Sequence, residues 1–267
     1  SIRQDRLPAV GGSLSYKTPM MPMRVRLDVP SVGEKREFNY EVLPHRDYGP
    51  YLSMLAWFDA VEAVDRFSGP TSIQSEMEIY LAGGRVLRRR DFISADSSSA
   101  WVTGYPLMGI LSNLFNNPWQ AARVDRIEIQ AAVTQRNDFG ALLDARLDRE
   151  SYLPGETARL RLWIERWRAA RDEILLPFTV PADLPDGDYP LQLADGAART
   201  ALEYQLRSWL NRPRSLDQML DSMSVSFPSN ELYLCLMRPS AGVAVENRPL
   251  PDLPGSVQSA LSQAAPP

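Results

Sequence analysis

The chain contains only one histidine, His45, and only one cysteine, Cys235. Serine and cysteine hydrolases need a base beside the nucleophile, and here a single imidazole is available for that role. Zinc sites built from cysteine and histidine need several of these ligands, which the chain lacks. The scarcity therefore disfavours most familiar enzymes, and one cysteine excludes an internal disulfide.

A basic excess and long apolar runs are also absent. The formal net charge is -4, whereas nucleic-acid-binding proteins usually present a basic face. The stretch 102–115 is interrupted by glycine, proline and asparagine and is shorter than the roughly 20 residues of a membrane-spanning helix. A hydrophobic content of 44% and a charged content of 23% are typical of a globular protein. We therefore expect a folded protein with no nucleic-acid partner, no membrane span and no cofactor.

The first half of the chain alternates between strand and helix patterns. Apolar and polar residues alternate in five stretches: 23–29, 38–42, 73–81, 85–93 and 127–133. Helical spacing covers 48–67 and a stretch from a serine cap at 97–99 to Phe115. The resulting order, strand-strand-helix twice and then one strand, predicts an α+β domain over 23–136, with an antiparallel sheet covered by two helices.

The second half has a different texture. Short alternating stretches separated by Pro/Gly turns, with no helix between them, predict an immunoglobulin-like β-sandwich over 137–197. The C-terminal segment, 198–267, combines helices at 200–210 and 215–223, a strand at 232–237 and a short helix at 257–261. The predicted fold class is therefore α+β, followed by the sandwich and a small mixed α/β segment.

Short segments spread over most of the chain resemble one protein family. Ser1-Ile-Arg-Gln-Asp-Arg-Leu-Pro-Ala-Val-Gly-Gly12 is similar to a G-T-I-x-x-D-x-x-x-G-I-x-G segment of the bacterial SpoIVB serine peptidase family. The following segments resemble long members from bacteria that do not sporulate: Met20-Met-Pro-Met-Arg-Val25, Phe38-Asn-Tyr-Glu-Val42, Asn116-Asn-Pro-Trp119, Leu147-Asp-Arg149, Pro154-Gly-Glu156, Val180-Pro-Ala-Asp-Leu-Pro185 and Arg212-Pro-Arg-Ser-Leu-Asp-Gln218. The resemblance implies the end of a peptidase-like domain at 1–22, followed by accessory domains.

The catalytic motifs of this family have no counterpart in the chain. A Gly-His-Pro-Phe-like motif and a Ser-Gly-Tyr-Gly-type nucleophile segment are missing, and the surroundings of His45, Leu43-Pro-His-Arg46, do not match. No catalytic residue is therefore carried over, and we expect no peptidase activity from this chain alone.

The resemblance implies an exported bacterial protein of the periplasm or cell envelope. The leading hypothesis is a non-catalytic binding or scaffolding module, whose partner is its own upstream peptidase-like domain or an envelope component. An alternative is a processed fragment of a serine peptidase whose active site is completed by a missing N-terminal part.

The candidate binding residues are Trp163 and Trp167 with Arg159 and Arg161. They fall on the polar face of a predicted strand whose other face carries Leu160, Leu162 and Ile164. Exposed aromatic residues on a β-sandwich anchor protein partners or stack on sugars, so a carbohydrate-binding protein is a further alternative. The competing interpretation is that these tryptophans pack against a neighbouring domain.

Other polar clusters have weaker claims to function. His45 has Asp47 close by but no nucleophile motif, and the run Arg88-Arg-Arg90 fits a solvated edge strand better than an anion site. Asp183, Asp186 and Asp188 lack the regular spacing of a calcium loop, so we expect no metal site. Cys235 lies in a predicted buried strand and is expected to be an inert core thiol.

Overall fold

The computed structural model describes residues 18–64, 69–96, 100–238, 243–245 and 248–250. The strands are β1 (Met21–Val29), β2 (Glu34–Val42), β3 (Thr71–Leu81), β4 (Val86–Ala95), β5 (Val124–Thr134), β6 (Gly140–Leu147), β7 (Thr157–Arg166), β8 (Arg171–Thr179), β9 (Leu191–Ala194), β10 (Tyr233–Leu236), β11 (Val243–Val245) and β12 (Arg248–Leu250). The helices are α1 (Gly49–Glu62), α2 (Ala100–Asn116), α3 (Gly196–Leu206) and α4 (Leu216–Ser224), with a 3₁₀ turn at Ser208–Asn211.

Several expectations lie outside these described residues. They are the connector up to residue 17, the end of the first helix at 65–67, the serine cap at 97–99 and the short helix at 257–261. Among the described residues, no helix combines the length and the hydropathy needed to cross a membrane.

The α+β class is confirmed. Strands β1 to β5 form one sheet in the order β2-β1-β5-β3-β4. The element order is the expected one, strand-strand-helix twice followed by one strand. Gly83 and Gly84 form the turn between β3 and β4, with positive φ at both positions. The β1–β2 pair forms one half of the sheet and the β3–β4 pair forms the other half. Strand β5 lies between β1 and β3.

The expectation of a purely antiparallel sheet is wrong at the centre. β1 and β5 are parallel, with Met23 opposite Ile127, while the other three pairs are antiparallel. The reason is the path through α2. This helix connects β4 to β5 as parallel strands, so β5 runs antiparallel to β3 and enters the slot beside β1 in the same direction as β1.

The core lies between one face of this sheet and the helices. Alternate residues of β1, including Met23, Val25 and Leu27, are buried, while the intervening side chains face the open side. From the helices come Leu111 and Leu114 of α2 and the buried ring of Trp57 in α1. The Trp57 Nε1 donates to Thr103 Oγ1 at 2.8 Å, which satisfies the indole inside the core.

A third helix covers the same sheet. Helix α4 packs beside β4, and its Leu216, Met219 and Leu220 belong to the same buried cluster as the strands. Two covering helices were expected, and the third comes from far along the chain, beyond the predicted sandwich.

Residues 137–197 do not form the expected immunoglobulin-like β-sandwich. They contain four strands, of which β6, β7 and β8 make one antiparallel sheet, while β9 pairs with β10 in a separate two-stranded sheet. An immunoglobulin-like fold has about seven strands in two packed sheets. Alternation located the strands correctly, but the partner of β9 lies in the C-terminal segment, which no local pattern reveals.

Candidate functional site

The predicted binding residues do not form one site. Arg159, Arg161 and Trp163 share the outer face of β7, as alternation predicted, with Arg161 opposite Leu175 and Trp163 opposite Glu173. The Trp163 ring is half-buried, and the guanidinium of Arg146 lies 5.5 Å from its centroid. Arg161 pairs with Glu173 at 3.3 Å. This face is therefore built of cross-strand pairs on the surface of a single sheet.

Trp167 lies apart from that group, beyond the end of β7. Its backbone N–H donates to Phe139 O at 2.9 Å, and the Arg168 guanidinium lies 4.3 Å from its ring centroid. Trp167 lines a groove of about 1310 Å³. The groove lies between the β6–β8 sheet, β9 and the face of the five-stranded sheet that carries no helix. Apolar side chains in this groove include Phe92, Leu142 and Ile174.

The polar groups of the groove hold the link between the two sheets. Ser72 Oγ lies 2.7 Å from Ser94 Oγ, and both serine hydroxyls accept the N–H of Asp138 at 2.9 Å. Ser94 donates to Asn137 Oδ1, and Asn137 Nδ2 donates to Asp96. Because each of these groups has a partner within the linker, the arrangement fixes the position of the β5–β6 connection rather than leaving an open polar site.

The side of the five-stranded sheet that carries no helix is charged, and we call it the open face. Rows of side chains cross it, for example Glu37, Arg26, Gln130, Glu76 and Arg90 on successive strands. Oppositely charged groups are neighbours at several points in these rows, and Arg26 pairs with Glu37 at 3.0 Å. Such a surface is what water-exposed sheet faces ordinarily present.

Glu78 and Glu128 interrupt this alternation, because they lie directly opposite each other on β3 and β5. Each has its own compensating group. Arg126 pairs with Glu128 at 2.9 Å, and Arg88 pairs with Glu78 at 2.7 Å. The Tyr80 hydroxyl also donates to Glu78, and this hydrogen bond, with Arg88, holds the pKa of Glu78 below its usual value. Glu78 is thus stabilised in the ionised form.

The weaker candidates occupy ordinary positions. The Nδ1 atom of His45 accepts the N–H of Asp47 at 3.2 Å, and its ring contacts Tyr48. Within the described part of the chain, His45 has no hydrogen bond to a serine hydroxyl. Asp183 pairs with Arg238 at 3.1 Å. Cys235 lies in β10 as predicted, but it is half-buried rather than buried.

The Arg88-Arg-Arg90 run lies on an edge strand, as expected. Arg88 and Arg90 point to the open face, opposite Glu78 and Glu76, whereas Arg89 points to the other side and pairs with Asp91 at 2.8 Å. The three guanidinium groups therefore do not form one anion-binding patch.

A further surface, on the helices, was not anticipated. None of the 17 residues of α2 is charged, and the only charged residues of α1 are Asp59 and Glu62 near its end. Large apolar side chains are nevertheless exposed on these helices and at their ends. One group lies near the end where Gly49 approaches Phe115, and Val102 and Tyr105 lie near the other end, where Gly104 approaches Met54. We call these six residues the outer helix face: Tyr48, Tyr51, Leu52, Val102, Tyr105 and Trp119. Val102 and Tyr105 are 50% and 52% exposed.

This outer helix face is unusual for a water-exposed surface. A helix that covers a core normally carries charged residues on its other side, and one that is apolar all round is normally buried. The signal was present in the sequence, since Val102, Tyr105 and Gly109 recur at helical spacing without any charge between them. A helix that covers the core accounts for only one side of this stretch, and the other side carries these exposed residues.

Comparison of the chain with protein-family models, curated proteins and solved structures gave no match. The resemblance to the SpoIVB family therefore stays a prediction based on the short segments.

Proposed function

We propose that this chain is a non-catalytic protein-binding module, and that its outer helix face docks against another domain of the same exported polypeptide. The observation that carries the proposal is the charge-free helix α2, which exposes Val102 and Tyr105 to solvent. The centres of protein interfaces are depleted in charged residues and enriched in aromatic ones, which is the composition of this face.

A protein partner fits this face better than a lipid surface. Attraction to anionic membranes depends on lysine and arginine on the binding element, and neither α1 nor α2 contains a basic residue. A protein partner needs only a complementary apolar surface. The SpoIVB-like segments, Ser1-Ile-Arg-Gln-Asp5 among them, favour the upstream peptidase-like domain as that partner, in the periplasm or cell envelope.

The first test concerns the partner itself. The coding sequence upstream of this chain in the native gene should contain a Gly-His-Pro-Phe-like segment within a peptidase-like domain. An upstream sequence without such a domain would remove this partner from consideration.

The second test measures docking. The upstream domain and this chain are produced separately, and their affinity is determined by isothermal titration calorimetry. The double variant Val102→Glu, Tyr105→Glu should weaken binding at least about tenfold, because two carboxylates would be desolvated in an apolar contact. Val32→Glu, at a residue that is also well exposed but lies in the β1–β2 turn, is the matched control. Equal affinities for the double variant and the control would contradict the proposal.

The alternatives make different predictions. If the chain completes a peptidase active site, mixing it with the upstream domain should produce casein hydrolysis that the upstream domain lacks alone. If it binds carbohydrate, Trp163→Ala and Trp167→Ala should abolish binding on a glycan array. Neither alternative requires the outer helix face.

A further inference from the structure

Strand β8 is an exposed edge with an apolar centre. It pairs with β7 on one side, and within the described residues no strand pairs with its other side. Ile174 and Leu176 are each 38% exposed and Leu175 is 54% exposed. Natural proteins usually protect such an edge with charges or proline, because its free N–H and C=O groups can pair with another strand. Here the charged residues lie only at the start, in Arg171–Glu173, and the one proline, Pro177, lies near the other end, so the apolar centre between them has neither.

The direction of the free backbone groups follows from the hydrogen bonds at the end of the strand. Val180 exchanges hydrogen bonds with the turn before β7, donating to Glu156 O at 2.9 Å and accepting from Gly155 N at 3.0 Å. In an antiparallel pair, alternate residues point to the same side, so the residues at even positions bond to β7. Glu173, Leu175 and Pro177 therefore point their backbone groups outward, which also suits Pro177, because it has no N–H.

We propose that two copies of this chain associate by pairing their β8 strands antiparallel about a two-fold axis at Leu175. The two Leu175 residues would exchange two hydrogen bonds, and each Glu173 N–H would donate to the C=O of Pro177 in the other copy. Ile174 of one copy would lie opposite Leu176 of the other. The result is a continuous six-stranded sheet in which the apolar triplet Ile174-Leu-Leu176 covers itself.

The sequence of β8 selects this register among the hydrogen-bonded ones. A two-fold axis at Glu173 would place two carboxylates directly opposite each other, and an axis at Arg171 would do the same with two guanidinium groups. An axis at Pro177 would leave the pair at the axis itself without an N–H donor. Only Leu175 combines a free N–H, an apolar side chain and no like-charge contact.

The opposite edge of the same sheet is less suited to pairing. Strand β6 has a register shift between Leu142 and Asp144, which interrupts the regular row of backbone groups. The β8–β8 contact would therefore close on itself as a dimer rather than extend from both edges.

The test is the oligomeric state of the chain, measured by sedimentation equilibrium over a range of concentrations. The wild-type chain should show twice the mass of the monomer, and Leu175→Lys should raise the dissociation constant at least about a hundredfold, because two lysines would meet at the axis. Leu153→Lys is the matched control, because Leu153 is 69% exposed in the turn before β7. It should leave the dimer unchanged.

A second variant tests the backbone pairing separately from the side chain. Leu175→Pro removes the outward N–H without disturbing a bond to β7, and it should also yield monomers. A wild-type chain that is monomeric at every concentration would overturn the proposal. A dimer that survives Leu175→Lys but is lost with Val102→Glu, Tyr105→Glu would overturn it as well, and would assign self-association to the outer helix face. The proposal does not depend on the proposed docking of the upstream domain.

Discussion

The five-stranded sheet and the three-stranded β6–β8 sheet begin from the same alternating sequence pattern but bury very different fractions of it. In the first, Val25, Ile73 and Ile79 are completely buried, because three helices cover their face. In the second, Leu160 and Leu162 of the central strand are buried, yet Ile174 and Leu176 of the neighbouring strand stay more than a third exposed. Alternation therefore identifies which side of a strand is apolar, but the elements that cover that side decide how much is buried.

Polar contacts also tie together the helices that follow the β6–β8 sheet in the chain. Tyr204 OH donates to Ser222 O at 2.9 Å, and Ser222 Oγ donates to Leu210 O at the same distance, so α3, α4 and the 3₁₀ turn are tied together. Ser229 Oγ donates to Phe92 O on the edge of β4, which attaches this region to the five-stranded sheet. Each such bond contributes only about 1 kcal/mol, whereas each buried leucine of the first region contributes more.

The largest expected effect is therefore a difference between two leucine truncations. Leu114→Ala, at a residue that is 0% exposed, should lower the free energy of unfolding by about 3 kcal/mol, because it leaves a cavity in a packed core. Leu176→Ala, at a residue that is 38% exposed, should cost less than about 1 kcal/mol. Urea unfolding of dilute protein, followed by tryptophan fluorescence, measures both values. Equal losses would show that β6–β8 is covered as completely as the first sheet.

The next effect sharpens the comparison within the helix layer. A Cβ at Gly104 would lie 2.7 Å from Met54 Cγ and 3.3 Å from Trp57 Cδ1, whereas a Cβ at Gly109 would meet nothing within 4 Å. Gly104→Ala should destabilise the protein by about 1 kcal/mol net, because overpacking outweighs the gain in helix propensity. Gly109→Ala should stabilise it by up to about 1 kcal/mol. Opposite signs in thermal unfolding would confirm that α1 and α2 approach closely at only one of these two glycines.

The smallest expected effect concerns two tyrosines, Tyr40 in β2 of the five-stranded sheet and Tyr233 in β10. Burial and a hydrogen bond to Asp59 raise the pKa of Tyr40, while burial and a hydrogen bond to Glu231 raise the pKa of Tyr233 to about 12. The unfolded chain ionises its tyrosines near pH 10, so it loses these protons first, and stability should decline as the pH rises above about 10. In an ultraviolet titration, Tyr233→Phe should remove a phenol whose pKa is about 12, and Tyr40→Phe should remove a phenol whose pKa is raised above its usual value. If either variant instead removed an ionisation near pH 10, the raised pKa of that tyrosine would be contradicted.

Local patterns predicted most elements of the fold. The helices that contain Trp57 and Leu114, the Gly83-Gly84 turn and strands β1 to β8 follow from periodicity and turn residues, which act over a few neighbouring positions. The parallel β1–β5 pair and the β9–β10 pair could not be predicted in this way. The first joins segments about 100 residues apart, and the second joins segments about 40 residues apart. The candidate sites followed the same division. Arg159, Arg161 and Trp163 share a face, as alternation predicts, but only the fold separates Trp167 from them.

The amino-acid sequence by itself determined that the chain has one histidine and one cysteine, and it was enough to predict the α+β class and the apolar side of each strand. These properties depend on composition and on spacing of two or 3.6 residues, which need no tertiary information. Only the tertiary structure decided which apolar surfaces remain uncovered. In the sequence, the charge-free helix α2 and the apolar centre of β8 are compatible with burial as well as with exposure, and they are exposed because no described element packs over them.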